Sequence, residues 1–86
     1  MKVRYHSRFL KVFRKLPAKV HDRFFARLSL FQLEPFHPLL NNHSVEAAYP
    51  GWRSINVTGD YRALFEITGD DAVLFMKIGT HSELYG

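Results

Sequence analysis

The feature that most constrains this chain of 86 residues is a change of hydrophobic period across a proline-punctuated middle. Before it, Phe9, Leu10, Phe13 and Leu16 recur at helical spacing, with Arg8, Lys11, Arg14 and Lys15 filling the rest of the wheel. Val20, Phe24, Leu28 and Phe31 make a second stripe, which Ala26, Leu30 and Leu33 widen. From Trp52 the period becomes two: Ile55 and Val57 point one way, Ser54, Asn56 and Thr58 the other. One kind of element cannot satisfy both patterns, so helices from the first half must pack on a sheet from the second.

Local signals set the boundaries. Val3 and Tyr5 alternate with Lys2 and Arg4, which predicts an N-terminal strand. Ser7 is the expected N-cap of the first helix. Pro17 ends that helix and suits the first turn of the next, which runs to about Leu33. Pro35 and Pro38 make residues 34–42 a loop, and His43-Ser44-Val45-Glu46 leads to the turn Tyr49-Pro50-Gly51. Gly59-Asp60 joins the strand from Trp52 to one over Tyr61 to Ile67, and Thr68-Gly69-Asp70-Asp71 leads into the apolar run Ala72 to Ile78, which reads as a strand buried on both faces.

Strands joined by turns this short run antiparallel. The order β-α-α-β-β-β therefore predicts a two-layer α+β fold, an antiparallel sheet packed on an N-terminal helical hairpin. Independent cores are rare below about 50 residues, so residues 1–86 are expected to be one domain. With Ile55 and Val57 toward the helices, Trp52, Ser54 and Asn56 face outward, beside Gly79-Thr80-His81. That free sheet face is the expected site.

Composition excludes several classes. The absence of Cys removes disulfide frameworks and thiolate metal sites. No apolar run approaches the roughly 18 residues of a membrane span, and Met1-Lys2-Val3-Arg4 leads into no signal-like stretch, so a cytoplasmic protein with no membrane partner is expected. The formal charge of +4 is unevenly spread. Through His43 there are nine Lys and Arg against two acids, 9 − 2 = +7; beyond it 3 − 6 = −3. Lys11, Lys15 and Lys19, at four-residue spacing, can either track nucleic-acid phosphates or simply form a solvated surface.

The order of elements, the segment Trp52-Arg53-Ser54-Ile55-Asn56-Val57-Thr58-Gly59-Asp60-Tyr61-Arg62-Ala63-Leu64-Phe65-Glu66 and the ending Gly79-Thr80-His81-Ser82-Glu83-Leu84-Tyr85 resemble the RelE/ParE toxin superfamily. Within it the chain is similar to the YafQ-like branch, whose members end in a comparable Gly-Thr-His-x-x-Leu-aromatic motif. The resemblance implies a toxin of a type II toxin–antitoxin pair. It also implies an endoribonuclease that enters the ribosomal A site and cuts messenger RNA without a metal or other cofactor. The ribose 2′-hydroxyl attacks the adjacent phosphate, leaving a 2′,3′-cyclic phosphate and a 5′-hydroxyl. The implied partners are a cognate antitoxin, ribosomal RNA and messenger RNA.

Such a reaction needs a base, an acid and groups that hold a pentavalent phosphate. His81, at the family's C-terminal histidine, is the candidate acid, because imidazole is the side chain suited to proton transfer near neutral pH; a surface histidine capping the last strand is the plain alternative. His43 falls where the branch carries a loop histidine and is a candidate base or phosphate contact. Asp60 matches a family acid and would accept a proton or orient an imidazole, or else is only a turn residue. Arg62 is the candidate for stabilising the phosphate; Arg53 falls on the Ile55 side of its strand. Tyr61 and Tyr85 match family aromatics that could stack on nucleotides or belong to the core. Asn56 stands where the branch has a second histidine; an amide does not titrate, but it can hydrogen-bond phosphate or ribose.

Two other classes stay open. One is a non-catalytic toxin of the ParE branch acting on DNA gyrase, which does not depend on the histidines. The other is a basic RNA- or ribosome-binding module without activity.

Overall fold

The computed structural model describes residues 1–86. Eight elements follow in order: β1 (Lys2–Tyr5), α1 (Ser7–Phe13), α2 (Ala18–Leu33), β2 (His43–Ser44), β3 (Trp52–Asn56), β4 (Tyr61–Gly69), β5 (Ala72–Thr80) and α3 (His81–Tyr85). A 3₁₀ turn over Pro38–Leu40 interrupts the proline loop. The strands form one sheet in the order β1-β5-β4-β3-β2. The meander β3-β4-β5 is antiparallel as its short turns require, and β2 pairs antiparallel with β3. β1 lies parallel to β5, so the sheet is mixed; the long excursion through both helices gives the chain room for that crossover.

The helical pair covers one face of the sheet. On α2, Val20, Phe24 and Phe31 are buried and Leu28 is half-buried, all within about 40° of Phe24 at 100° per residue. Ala26 and Leu33 do not widen that stripe: they fall near 180° from Phe24, and Leu33 is 82% exposed. α1 is capped by His6 rather than Ser7, the imidazole Nδ1 accepting the Arg8 amide at 3.0 Å. It stops at Phe13, and Pro17 becomes the N-cap of α2. Lys15 therefore sits in the interhelical turn, with Lys11 on α1 and Lys19 on α2, so the three exposed lysines share no single helical stripe.

Phe75 lies at the centre of the core. Its ring is within 6.2 Å, centroid to centroid, of Tyr5, Phe9, Phe24, Phe31 and Phe65, which come from β1, both helices and β4. β5 is not buried alike on both faces. Val73, Phe75 and Ile78 are buried toward the helices, whereas Leu74 and Lys77 on the other face are half-buried. The register slips between the pairs Leu64↔Lys77 and Phe65↔Phe75, leaving Met76 as the extra residue of a bulge. No helix is long and apolar enough to cross a membrane.

Because Phe75 joins four elements, Phe75→Ala should cost about 3–5 kcal/mol and leave little residual stability. Urea unfolding followed by far-UV circular dichroism checks this; a loss below about 1 kcal/mol would contradict the central placement.

Candidate active site

The outer sheet face is closed on one side by α3, which packs closely over Gly79. A Cβ at Gly79 would lie 3.3 Å from Glu83 Oε1, 3.4 Å from Glu83 Cβ and 3.6 Å from Leu84 Cδ2, so the Glu83 carboxylate would have to give by a few tenths of an ångström. The next residue, Thr80, is the N-cap: its hydroxyl accepts the Glu83 amide at 3.2 Å, and Glu83 Oε1 accepts the Thr80 amide at 2.8 Å. Leu84 then anchors the helix in a small second core with Val45 and Leu64. The sequence carried a signal for this helix, Thr80-x-x-Glu83, directly after the last strand.

The facing wall starts at β2, a strand of two residues too short to show any period. His43 and Ser44 pair with Ser54 and Arg53, and the buried Val45 holds the chain that follows against the sheet. Gly51, at φ +84°, makes the turn back to β3, and its amide donates to the Glu46 carboxylate at 2.5 Å. Between the walls lies a cavity of about 430 Å³, floored by Ser54 and Arg62 and flanked by His43, Glu46, His81 and Tyr85.

The functional groups differ in how they are held. His43 Nδ1 lies 2.7 Å from the Asn41 carbonyl; a carbonyl only accepts, so Nδ1 carries the proton and neutral His43 has a free lone pair on Nε2. Arg62 donates to the carbonyls of Thr58 (2.9 Å), Tyr61 (3.0 Å) and Gly59 (3.2 Å). Three of its five N–H groups are thus engaged, leaving two free donors on a fixed guanidinium. The His81 ring is exposed and packs against the Tyr85 ring at 4.8 Å; its main-chain amide donates to the Asp60 carbonyl at 3.2 Å. Burial raises the Tyr85 phenol above its ordinary value, Tyr49 adds to the rise, and the Arg62 charge opposes it.

The cavity brings together four residues singled out from sequence: His43, Arg62, His81 and Tyr85. It also includes Glu46, which sequence reasoning missed because nothing in its local pattern separates it from a turn residue. Asp60, Asn56 and Tyr61 do not line it. Asp60 is exposed in a turn closed by the Thr58 hydroxyl and meets His81 through its backbone. Tyr61 packs against the main core. Asn56 faces outward opposite Arg62, with Oδ1 buried and without a hydrogen-bond partner. Arg53 points away, donating to Asn42 Oδ1 at 2.8 Å and lying 5.5 Å from the Phe36 ring centroid.

The Thr80–Glu83 contact gives the site an acid limit. The Thr80 amide and hydroxyl hold the Glu83 carboxyl below its ordinary value of 4.5. The folded carboxyl stays ionised to lower pH than the unfolded one, so the contact stabilises α3 above the ordinary carboxylate range and is lost as pH falls through the depressed value. NMR should show α3 loosening in the wild type as pH falls below the ordinary carboxylate range. Thr80→Ala should lose about 1 kcal/mol at neutral pH but keep much of that pH dependence, because its amide still holds the Glu83 carboxyl, whereas Glu83→Gln should abolish it.

The family described as the ParE toxin of the type II toxin–antitoxin system parDE matches residues 3–85. No curated protein matches the chain significantly. Among solved structures, YafQ from E. coli strain BL21(DE3) superposes with a TM-score of 0.79 at 23% identity, covering 99% of this chain and 98% of that one. The YoeB/ParE toxin from Agrobacterium tumefaciens gives 0.75 at 14% identity, over 94% and 99% of the two chains. The RelB–RelE antitoxin–toxin complex from Methanococcus jannaschii gives 0.73 at 18% identity, over 95% and 94%. At these identities the structures establish a shared fold, and the match over nearly the whole sequence establishes the family: the chain belongs to the ParE toxins of type II toxin–antitoxin systems.

Proposed function

We propose that this toxin is an endoribonuclease that cuts messenger RNA in the ribosomal A site and is held in check by a cognate antitoxin. The observation that carries this reading is the meeting of His43, Arg62, His81 and Tyr85 around one open cavity. Neutral His43 takes the 2′-hydroxyl proton on Nε2, and the 2′-oxygen attacks the adjacent phosphorus. The bond to the 5′-oxygen breaks as protonated His81 gives that oxygen its proton. The products are a 2′,3′-cyclic phosphate and a 5′-hydroxyl. The two free N–H groups of Arg62 face the charge that develops on the phosphate oxygens, and the Tyr85 ring offers a surface for a splayed base. Two imidazoles and a guanidinium suffice for this chemistry, so no cofactor is called for.

The exposed Lys11, Lys15 and Lys19 supply cationic groups on the two helices and the turn between them, suited to ribosomal RNA phosphates. Asp60 has a positioning role through its carbonyl in this reading, and Tyr61 a core role. A cognate antitoxin is supported by relatives solved as complexes, the E. coli DinJ–YafQ pair and the M. jannaschii RelB–RelE pair. The family match to ParE favours a second reading, gyrase poisoning without RNA cleavage.

Primer extension on a message translated in a purified system separates the two. Wild type should give discrete cuts ending in a 2′,3′-cyclic phosphate. His81→Gln should lower the rate by about 10²- to 10⁴-fold with an unchanged circular dichroism spectrum. Full cutting by folded His81→Gln would remove His81 from the mechanism, and gyrase inhibition without cutting would establish the second reading.

A further inference from the structure

We infer that Tyr49, which lies outside the cavity, is the positioning residue that latches α3 and thereby sets His81 and Tyr85 at the site. Its catalytic consequence rests on the ribonuclease reading; its structural consequence rests on the geometry alone.

A helix of five residues does not support itself in water, so α3 must be held at both ends. The Thr80 capping box holds the first end. At the other end the last carbonyls have no partner within the helix. The Tyr49 hydroxyl donates to one of them, Leu84 O, at 2.5 Å, across 35 residues of chain. The direction of that bond is fixed from behind. Lys77 Nζ donates to the same hydroxyl oxygen at 3.4 Å, so the single phenolic proton is left for Leu84.

The ring is equally constrained. It stacks on Trp52 at 5.1 Å with the planes 5° apart, and Trp52 Nε1–H donates to Glu66 at 3.2 Å. The Lys77 ammonium lies 5.1 Å from the Tyr49 ring centroid, near enough for a cation–π contact. Tyr49 then meets α3 a second time, its ring standing edge-on to Tyr85 at 5.8 Å, and Tyr85 carries the His81 ring. A chain of contacts thus runs from β3, β4 and β5 through one phenol to both site residues of the helix. Tyr49 is not among the residues that line the cavity, and it meets two of them, His81 and Tyr85, through α3.

Tyr49→Phe keeps the stack and the edge contact and removes only the hydroxyl. Amide hydrogen exchange at Tyr85 and Gly86 should then speed up about five- to tenfold, with exchange in β3, β4 and β5 unchanged. In the translation assay kcat should fall about ten- to a hundredfold, with KM for RNA within about twofold of wild type. Lys77→Met, which removes the donor behind the hydroxyl, should move exchange and kcat in the same direction by less. Unchanged exchange at Tyr85 and Gly86 in both variants overturns the latch. Faster exchange spread through the whole sheet also overturns it, by showing a general loss of stability, and an unchanged kcat with a loosened helix overturns its link to His81. If wild type cuts no RNA, the ribonuclease reading fails while the exchange data still decide the latch.

Discussion

The structure depends on one crowded ring. Phe75 sits in the middle of β5 and touches Tyr5, Phe9, Phe24, Phe31 and Phe65, so β1, α1, α2 and β4 are all referred to the same side chain. A domain of this size has little stability to spare, and concentrating aromatic burial at one point fixes the helical layer on the sheet with few residues. The opposite face, carrying Ser54, Arg62 and Leu64, is then free to be built for another purpose.

That outer face is organised by polar contacts and one small second core rather than by a helical layer. Arg62 is held by three carbonyls of its own hairpin turn, His43 by the Asn41 carbonyl, and α3 by a capping box, Leu84 and Tyr49. Each is a short-range device that fixes the direction of one group without covering it. The uneven charge has the same division: +7 through His43, mostly on and around the helices, and −3 beyond it, where the site is built. The excess of cations therefore lies on β1 and the helical pair, while the cavity has one fixed guanidinium and two imidazoles.

The sheet and helical hairpin were legible because burial dictates period over several residues. Val20, Phe24, Leu28 and Phe31 on α2, and Ile55 with Val57 against Ser54 and Asn56, read directly as the faces they occupy. Residues governed by single contacts were not. β2 has two residues and no period; its place is set by Val45 and by pairing with β3, which lie in contacts distant along the chain. Leu33 was misplaced because apolarity was read without its angle, and Ser7 because a histidine lone pair can cap as well as a hydroxyl. At the site, His43, Arg62 and His81, singled out by residue type, line one cavity, but the side chains of Asp60 and Tyr61 turn elsewhere because the turn after Thr58 and the alternation of β4 decide their direction.

The terminal segment illustrates how structural and chemical demands can be separated within one motif. Gly79 suits the close approach of Glu83 and Leu84, Thr80 and Glu83 are accounted for by their reciprocal cap, and Leu84 by its place beside Val45 and Leu64. Tyr85 has a partial structural reason in its edge contact with Tyr49. His81 has almost none: the contact that fixes its position is made by its backbone amide to Asp60, which any residue but proline would supply, and its ring is exposed against Tyr85. His43 differs only in that Nδ1 is spent on the Asn41 carbonyl, which orients Nε2 and leaves it open. Folding thus accounts for the neighbours of these imidazoles and leaves the imidazoles themselves to be explained by what enters the cavity.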